Sequence, residues 1–240
     1  DVCSSDLYGD KIAGIFLTHG HADSIGALPY ILRDYDIPVF GSKLTIELAK
    51  IAVQRENRRR KNDLFHVIDA DTEIEFKNAN VSFFKTTHSI PDSLGIDIST
   101  KEGEIVYTGD FKFDPSAKDG FRTDFVRLSE IAQKGVLALL SDSTNAEANF
   151  PNDRQTSIEK YIFNIFENYD GRIIAAAKAS NIVRVQEIFQ AAAATGRHVF
   201  LTGRDAGKIV YTAMKLGYLN VPKGLLVHSK DLKKIPDKEL

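Results

Sequence analysis

The feature that most restricts this chain is a repeated arrangement in which an apolar, β-branched run stops abruptly at a side chain able to bind a cation. Lys11 to Thr18 (KIAGIFLT) reads as a buried strand, and the polar turn His19-Gly20-His21-Ala22-Asp23-Ser24 follows at once. Val81 to Thr87 (VSFFKTT) alternates as a strand does and stops at His88, while Glu104 to Thr108 (EIVYT) stops at Gly109-Asp110. Strand ends on one edge of a sheet lie close in space, so a sheet can gather these residues where no single helix could. An α/β fold with a site along a sheet edge is the expectation.

The intervening segments fit that expectation. A helix is predicted from Ile25 to Asp34, a short strand from Ile37 to Phe40 with Pro38 near its start, and a long amphipathic helix from Lys43 to about Lys61. That helix would finish in Arg58-Arg59-Arg60-Lys61, cations suited to the negative end of the helix dipole and read as a helix terminus rather than an RNA patch. From Gly135 the run VLALLSDSTN gives one more strand, and a domain boundary is expected near Phe150 and Pro151, dividing residues 1–147 from 148–240. Beyond it helices at Ser157 to Tyr169, Ile182 to Thr195 and Asp205 to Leu216 alternate with strands at Ile173 to Ala177 and Val199 to Thr202, a pattern that predicts a parallel sheet with right-handed crossovers.

Composition bounds the chemistry. Cys3 is the one cysteine, so a cation would be held by imidazole and carboxylate rather than thiolate. No apolar run approaches the roughly 20 residues of a membrane-spanning helix, and the N-terminus lacks the order of a signal peptide, so a cytoplasmic location without membrane association is expected. Residues 1–150 carry 17 Lys/Arg against 24 Asp/Glu, and residues 151–240 carry 14 against 9. A basic second half would suit a polyanion; undirected drift of surface charge would look the same.

Together His19, His21, Asp23, His88 and Asp110 form a set suited to zinc or manganese, ions that lower the pKa of bound water and polarise a phosphoryl oxygen. That points to a hydrolase. Each residue also has a plainer reading: a lone His in a turn is usually solvated or hydrogen-bonded, and an Asp just before a helix, like Asp23, is often an N-cap. Ser180 and Asn181 follow a predicted strand and open a helix, where they could hold a phosphate or simply cap that helix.

The stretch HGHADSIGALPYIL resembles the HxHxDH signature of the metallo-β-lactamase superfamily, TTHSIPDSLGI its later His motif, and YTGDFKFD its bridging-Asp motif. THSIPDS, TGDFKFD, LLSDSTNAE, and GRII followed by ASNI, in this order, resemble the ribonuclease J family over about residues 9–240. The resemblance implies a metallo-β-lactamase αββα sandwich lacking its N-terminal strands, followed by part of a β-CASP α/β domain. His19, His21, His88 and Asp110 would form a first metal site, Asp110 would bridge to a second, and Asp23 would belong to that second site. As catalytic groups, Asp23 would orient the attacking water and Asp110 would hold the metal. The implied cofactor is Zn2+, with Mn2+ or Mg2+ as alternatives, and the implied partner is RNA, held in part by Ser180 and Asn181. Asp142 resembles the first β-CASP motif, although a turn-forming Asp would look the same.

Two departures matter. Ser24 stands where the family motif has His, and Val183 where catalytic relatives often have His. These resemble a second, less active paralogue, which implies a weakened second metal site and a subunit paired with an active paralogue, or with itself as a homodimer. A fully competent zinc ribonuclease and a structural RNA-binding subunit are the competing readings. The opening DVCSSDL does not resemble the family, so an interior segment of a longer protein is expected.

Overall fold

Aromatic and β-branched runs broken by Gly, Asp and Asn turns give the first part of the chain eight strands among the residues that the computed structural model describes, which are 11–56, 62–114, 117, 121–147 and 154–240. Cys3, the run from Arg58 to Lys61, and the boundary residues Phe150 and Pro151 lie outside them. The chain divides into two compact units, Asp1–Thr144 and Asn145–Leu240.

In the first unit, β1 (Ile15–Phe16), β2 (Val39–Gly41) and β3 (Phe65–Val67) form a parallel sheet in that order. Five further strands follow: β4 (Glu73–Phe76), β5 (Ala79–Lys85), β6 (Leu94–Thr100), β7 (Gly103–Tyr107) and β8 (Val136–Leu140). They pair antiparallel in sequence order except for the last pair, β7 and β8, which is parallel. Alternation along β5 and β6 turns Val81, Phe83, Leu94 and Ile96 toward the first sheet, where Phe16 and Phe40 pack against them. Phe16 stacks on Phe40 at 5.1 Å between ring centroids and meets Phe83 at 5.9 Å. Removing a ring such as the fully buried Phe83 from such a core costs about 3–5 kcal/mol.

Helices cover the outer faces of the two sheets. The helix expected at Ile25 to Asp34 forms as two pieces, α1 (Ala22–Ile25) and α2 (Leu28–Asp34), with Pro29 in the first turn of α2, where its missing N–H is tolerated. The long helix follows as α3 (Lys43–Glu56), packed on α2 and β3. On the opposite side α4 (Phe125–Lys134) buries Ile131 against Phe84 and Val106. The result is the αββα sandwich. The strand expected in VLALLSDSTN forms as β8, the last strand of the larger sheet, with Leu137 and Leu139 60% and 63% exposed.

The second unit holds α5 (Arg154–Asn168), α6 (Ile182–Ala194) and α7 (Ala206–Lys215) around Ile182, Val185, Phe189, Val210 and Leu225. Its extended segments pair sparsely among the described residues. Val199 makes a single parallel bridge to Leu226, and Ile173 to Ala177 form no strand, with Ile173 N donating to Leu240 O at 3.0 Å and Ile174 90% exposed. An extended run becomes a strand only beside a neighbour that offers a ladder of bonds. The buried Arg197 substitutes for some of that order, since its guanidinium donates to the carbonyls of Phe166, Tyr169 and Gly171 where α5 ends.

Candidate metal centre

His19, His88 and Asp110 each sit one or two residues past the extension of a strand, with His21 and Asp23 in the turn and helix that follow His19, and backbone bonds hold those extensions at one edge. Thr18 O accepts from Leu94 N at 2.8 Å, tying the end of β1 to the start of β6. Thr87, next to His88, bridges Lys112, next to Phe111 and close to Asp110; its N–H and hydroxyl bond Thr123 and Phe121. Asp92, in the left-handed region at φ 66, sends its carboxylate to accept from Leu44 N at 3.1 Å, so the loop after His88 is pinned to the first turn of α3.

This scaffold brings three imidazoles together. A nitrogen from each of His19, His21 and His88 lies within 4.8 Å of the others, and the ring centroids are 4.9–5.1 Å apart. His19 and His21 are buried, His88 partly so. Asp110 Oδ2 stands 3.7 Å from His19 Nε2 and 3.5 Å from His88 Nε2, with 40% of its side chain exposed. The carboxylate is thus the solvent-facing member of the group and the imidazoles its buried members.

Burial pushes His19 down to about 4, helped by the neighbouring His88 and opposed by the carboxylates of Asp23 and Asp142. His88 is lowered as well, by burial first, against the raising effects of Asp110, Asp142 and Asp23. Both rings are neutral at pH 7, the form that presents a lone pair to a cation. Three imidazoles and a carboxylate suit Zn2+ well and Mn2+ less well.

The remaining predicted residues are placed differently. Asp23 is exposed in the first turn of α1; its charge acts on His19 and His88, but it is not among the three side chains that cluster. Ser24 turns its hydroxyl to within 3.4 Å of both ring nitrogens of His19. Asn181, in the second unit, is the N-cap of α6 and accepts from Arg184 N at 3.0 Å; Ser180 is the half-buried residue before it.

Asp142 belongs to this edge too, although the sequence presents it as a motif or turn residue. Tyr107 pairs in parallel with Leu140, so Asp110 and Asp142 leave their strands side by side. Thr144 donates to Asp142 Oδ1 through its N–H and hydroxyl, at 2.9 and 2.7 Å, which holds that carboxyl below the usual range and ionised beside the histidines. The strand-end rule, applied to VLALLSD, would have found it. Among the described residues no helix is long and apolar enough to cross a membrane.

Comparison with known proteins agrees with this architecture. Residues 6–160 match the family described as "Metallo-beta-lactamase superfamily", and residues 170–240 match "Ribonuclease J, beta-CASP domain". The chain is 54% identical over 231 residues to "Ribonuclease J 2" of Streptococcus pyogenes and 44% identical over 231 residues to "Ribonuclease J 2" of Staphylococcus epidermidis. Each alignment takes in 96% of this chain but only 42% and 41% of those relatives, so the chain spans less than half their length. A crystal structure of a protein of unknown function from Enterococcus faecalis shares the fold, with a TM-score of 0.64 and 15% identity over 94% of this chain and 57% of that one.

Proposed function

For a chain that belongs to the metallo-β-lactamase superfamily and, within it, to the ribonuclease J family, we propose that the protein is a metal-dependent ribonuclease whose turnover is reduced by Ser24. The observation that carries this reading is the convergence of His19, His21 and His88 beside Asp110. These four residues would hold the first Zn2+, with Mn2+ or Mg2+ as alternatives, and Asp23 would reach toward a second. Bound there, a divalent cation polarises a phosphoryl oxygen and acidifies water.

The chain's own groups do the rest. Asp110 and Asp142 supply negative charge at the open side of the pocket, and Asp23 accepts a hydrogen bond from the attacking water and so orients it. Ser24 offers a hydroxyl, a far weaker ligand for zinc than imidazole, and in this structure it lies against His19. With Ser24 in place of an imidazole, the residues here would hold one cation firmly and a second poorly, and would supply correspondingly less of the charge stabilisation that a pair of cations gives. Ser180 and the N-terminus of α6 would hold an RNA phosphate, since that end carries the partial positive charge of the helix dipole. We further propose that the protein acts in the cytoplasm, on RNA, assembled with a more active paralogue or as a homodimer.

The test compares wild type with Ser24→His on 5′-monophosphorylated single-stranded RNA. Turnover should rise by at least about tenfold in the variant, in keeping with the gain of a direct ligand. Fast wild-type turnover that Ser24→His leaves unchanged would contradict the reduced-activity reading.

A further inference from the structure

Besides Ser24, at 3.4 Å from His19, two hydroxyls approach the imidazoles more closely. Thr18 Oγ1 lies 2.9 Å from His19 Nδ1, and Ser89 Oγ lies 2.8 Å from His21 Nε2. Thr18 is 5% exposed and His19 and His21 are 5% exposed or less, so water competes little for the Thr18 bond, while the half-buried Ser89 shields the other in part. A ring nitrogen that binds a cation uses its lone pair, which requires the proton on the other nitrogen and an acceptor for that proton.

From this geometry we infer that Thr18 and Ser89 are positioning residues that fix the tautomers of the two histidines, assigning the cation to Nε2 of His19 and Nδ1 of His21. The inference rests on the metal reading of the pocket given above. For His19 the assignment agrees with the approach of Asp110, which lies 3.7 Å from Nε2. The proton on Nδ1 of His19 is donated to Thr18 Oγ1, and that on Nε2 of His21 to Ser89 Oγ. Opposite tautomers on two residues two positions apart let both rings turn toward one point from a single turn of chain.

Thr18 is itself held in place by Gly109. A Cβ built on Gly109 would lie 2.7 Å from Thr18 Cβ and 3.0 Å from Thr18 Oγ1, and Gly109 has φ +59. Glycine in the turn before Asp110 thus makes room for the hydroxyl that orients His19. The two strand ends are coupled through that one contact.

The measurement is a zinc competition titration with a chromophoric chelator on the chain, wild type against Thr18→Val, Thr18→Ser and Ser89→Ala, together with long-range 1H–15N spectra of the metal-free histidines. Thr18→Val and Ser89→Ala should each weaken zinc binding about 10–100-fold, while Thr18→Ser, which keeps the hydroxyl, stays within about threefold of wild type. The spectra should show Nδ1–H for His19 and Nε2–H for His21 in wild type, with the respective variant losing that preference. Unchanged or tighter zinc binding in Ser89→Ala, or the reverse tautomers in wild type, overturns the inference and leaves the metal reading standing. A wild-type chain that binds no zinc overturns both.

Discussion

Two clusters of buried ionisable groups lie in the same sandwich, and they behave in opposite ways. At the strand ends, His19, His21 and His88 face one another beside a half-open Asp110. In the middle of the larger sheet, Asp97 on β6 and Glu104 on β7 are 0% and 3% exposed, on the face of the sheet opposite the aromatic core. Ser82 and Ser99 donate to Asp97 Oδ2 and Glu104 Oε1, and among the described residues no further donor reaches the other two oxygens, so a proton on Asp97 is what can join the carboxyls. Burial, then the charge of Glu104 and a hydrogen bond to it, push Asp97 up to about 6. The contrast shows that burial alone does not make a site. Imidazoles answer burial by staying neutral and presenting lone pairs beside a solvent-facing carboxylate, whereas the enclosed Asp97 answers it by holding its proton to a higher pH than a free carboxyl does.

The comparison can be broken most sharply at the histidines. His88→Ala should lower zinc affinity by more than about 100-fold, since a lost ligand costs more than a lost outer contact, while Asp97→Asn should leave it unchanged; both are read by the same chelator titration. Gly109→Ala comes next. It forces a side chain into a left-handed turn against Thr18 and should cost roughly 2–4 kcal/mol in chemical denaturation, with weakened zinc binding alongside.

Asp97→Asn should stabilise the fold at pH 7 by roughly 1–2 kcal/mol, because the raised Asp97 makes the folded state lose stability as pH climbs from 3.8 to about 6. The depressed His19 has the opposite sign: the unfolded chain takes up its proton first, so stability falls as pH drops from 6.5 to about 4. The two oppose each other across the same window. Denaturation of the metal-free protein from pH 4 to 7 should therefore be steeper toward acid in Asp97→Asn than in wild type; parallel profiles would refute the opposition. The smallest effect is expected at Asp92, where Asp92→Ala removes the bond to Leu44 N and costs about 1 kcal/mol, with Asp92→Asn, tolerant of the left-handed conformation, losing less.

The strand-end pattern made much of this legible, and its limits are physical. Apolar runs that stop at His or Asp identify themselves locally, which is why the edge carrying His19, His21, His88 and Asp110 could be drawn from the sequence. β6 could not, because LGIDIST carries Asp97 in its interior, and a buried carboxyl reads as a break in a strand. The roles of Thr18 and Ser89 left no trace either, since a hydroxyl beside a histidine is common and only the fold says which ring nitrogen it meets. In the second unit the helices were readable from their periodicity, while Ile173 to Ala177 shows that an extended, apolar run says nothing about whether a pairing strand lies beside it.

X-ray absorption at the zinc edge of the loaded chain tests the central claim most directly. The account predicts one zinc per chain with three imidazole nitrogens and at least one oxygen at about 2.0–2.2 Å, and the loss of one imidazole's scattering in His88→Ala. A shell of oxygen alone, or a spectrum that His88→Ala leaves untouched, would contradict it.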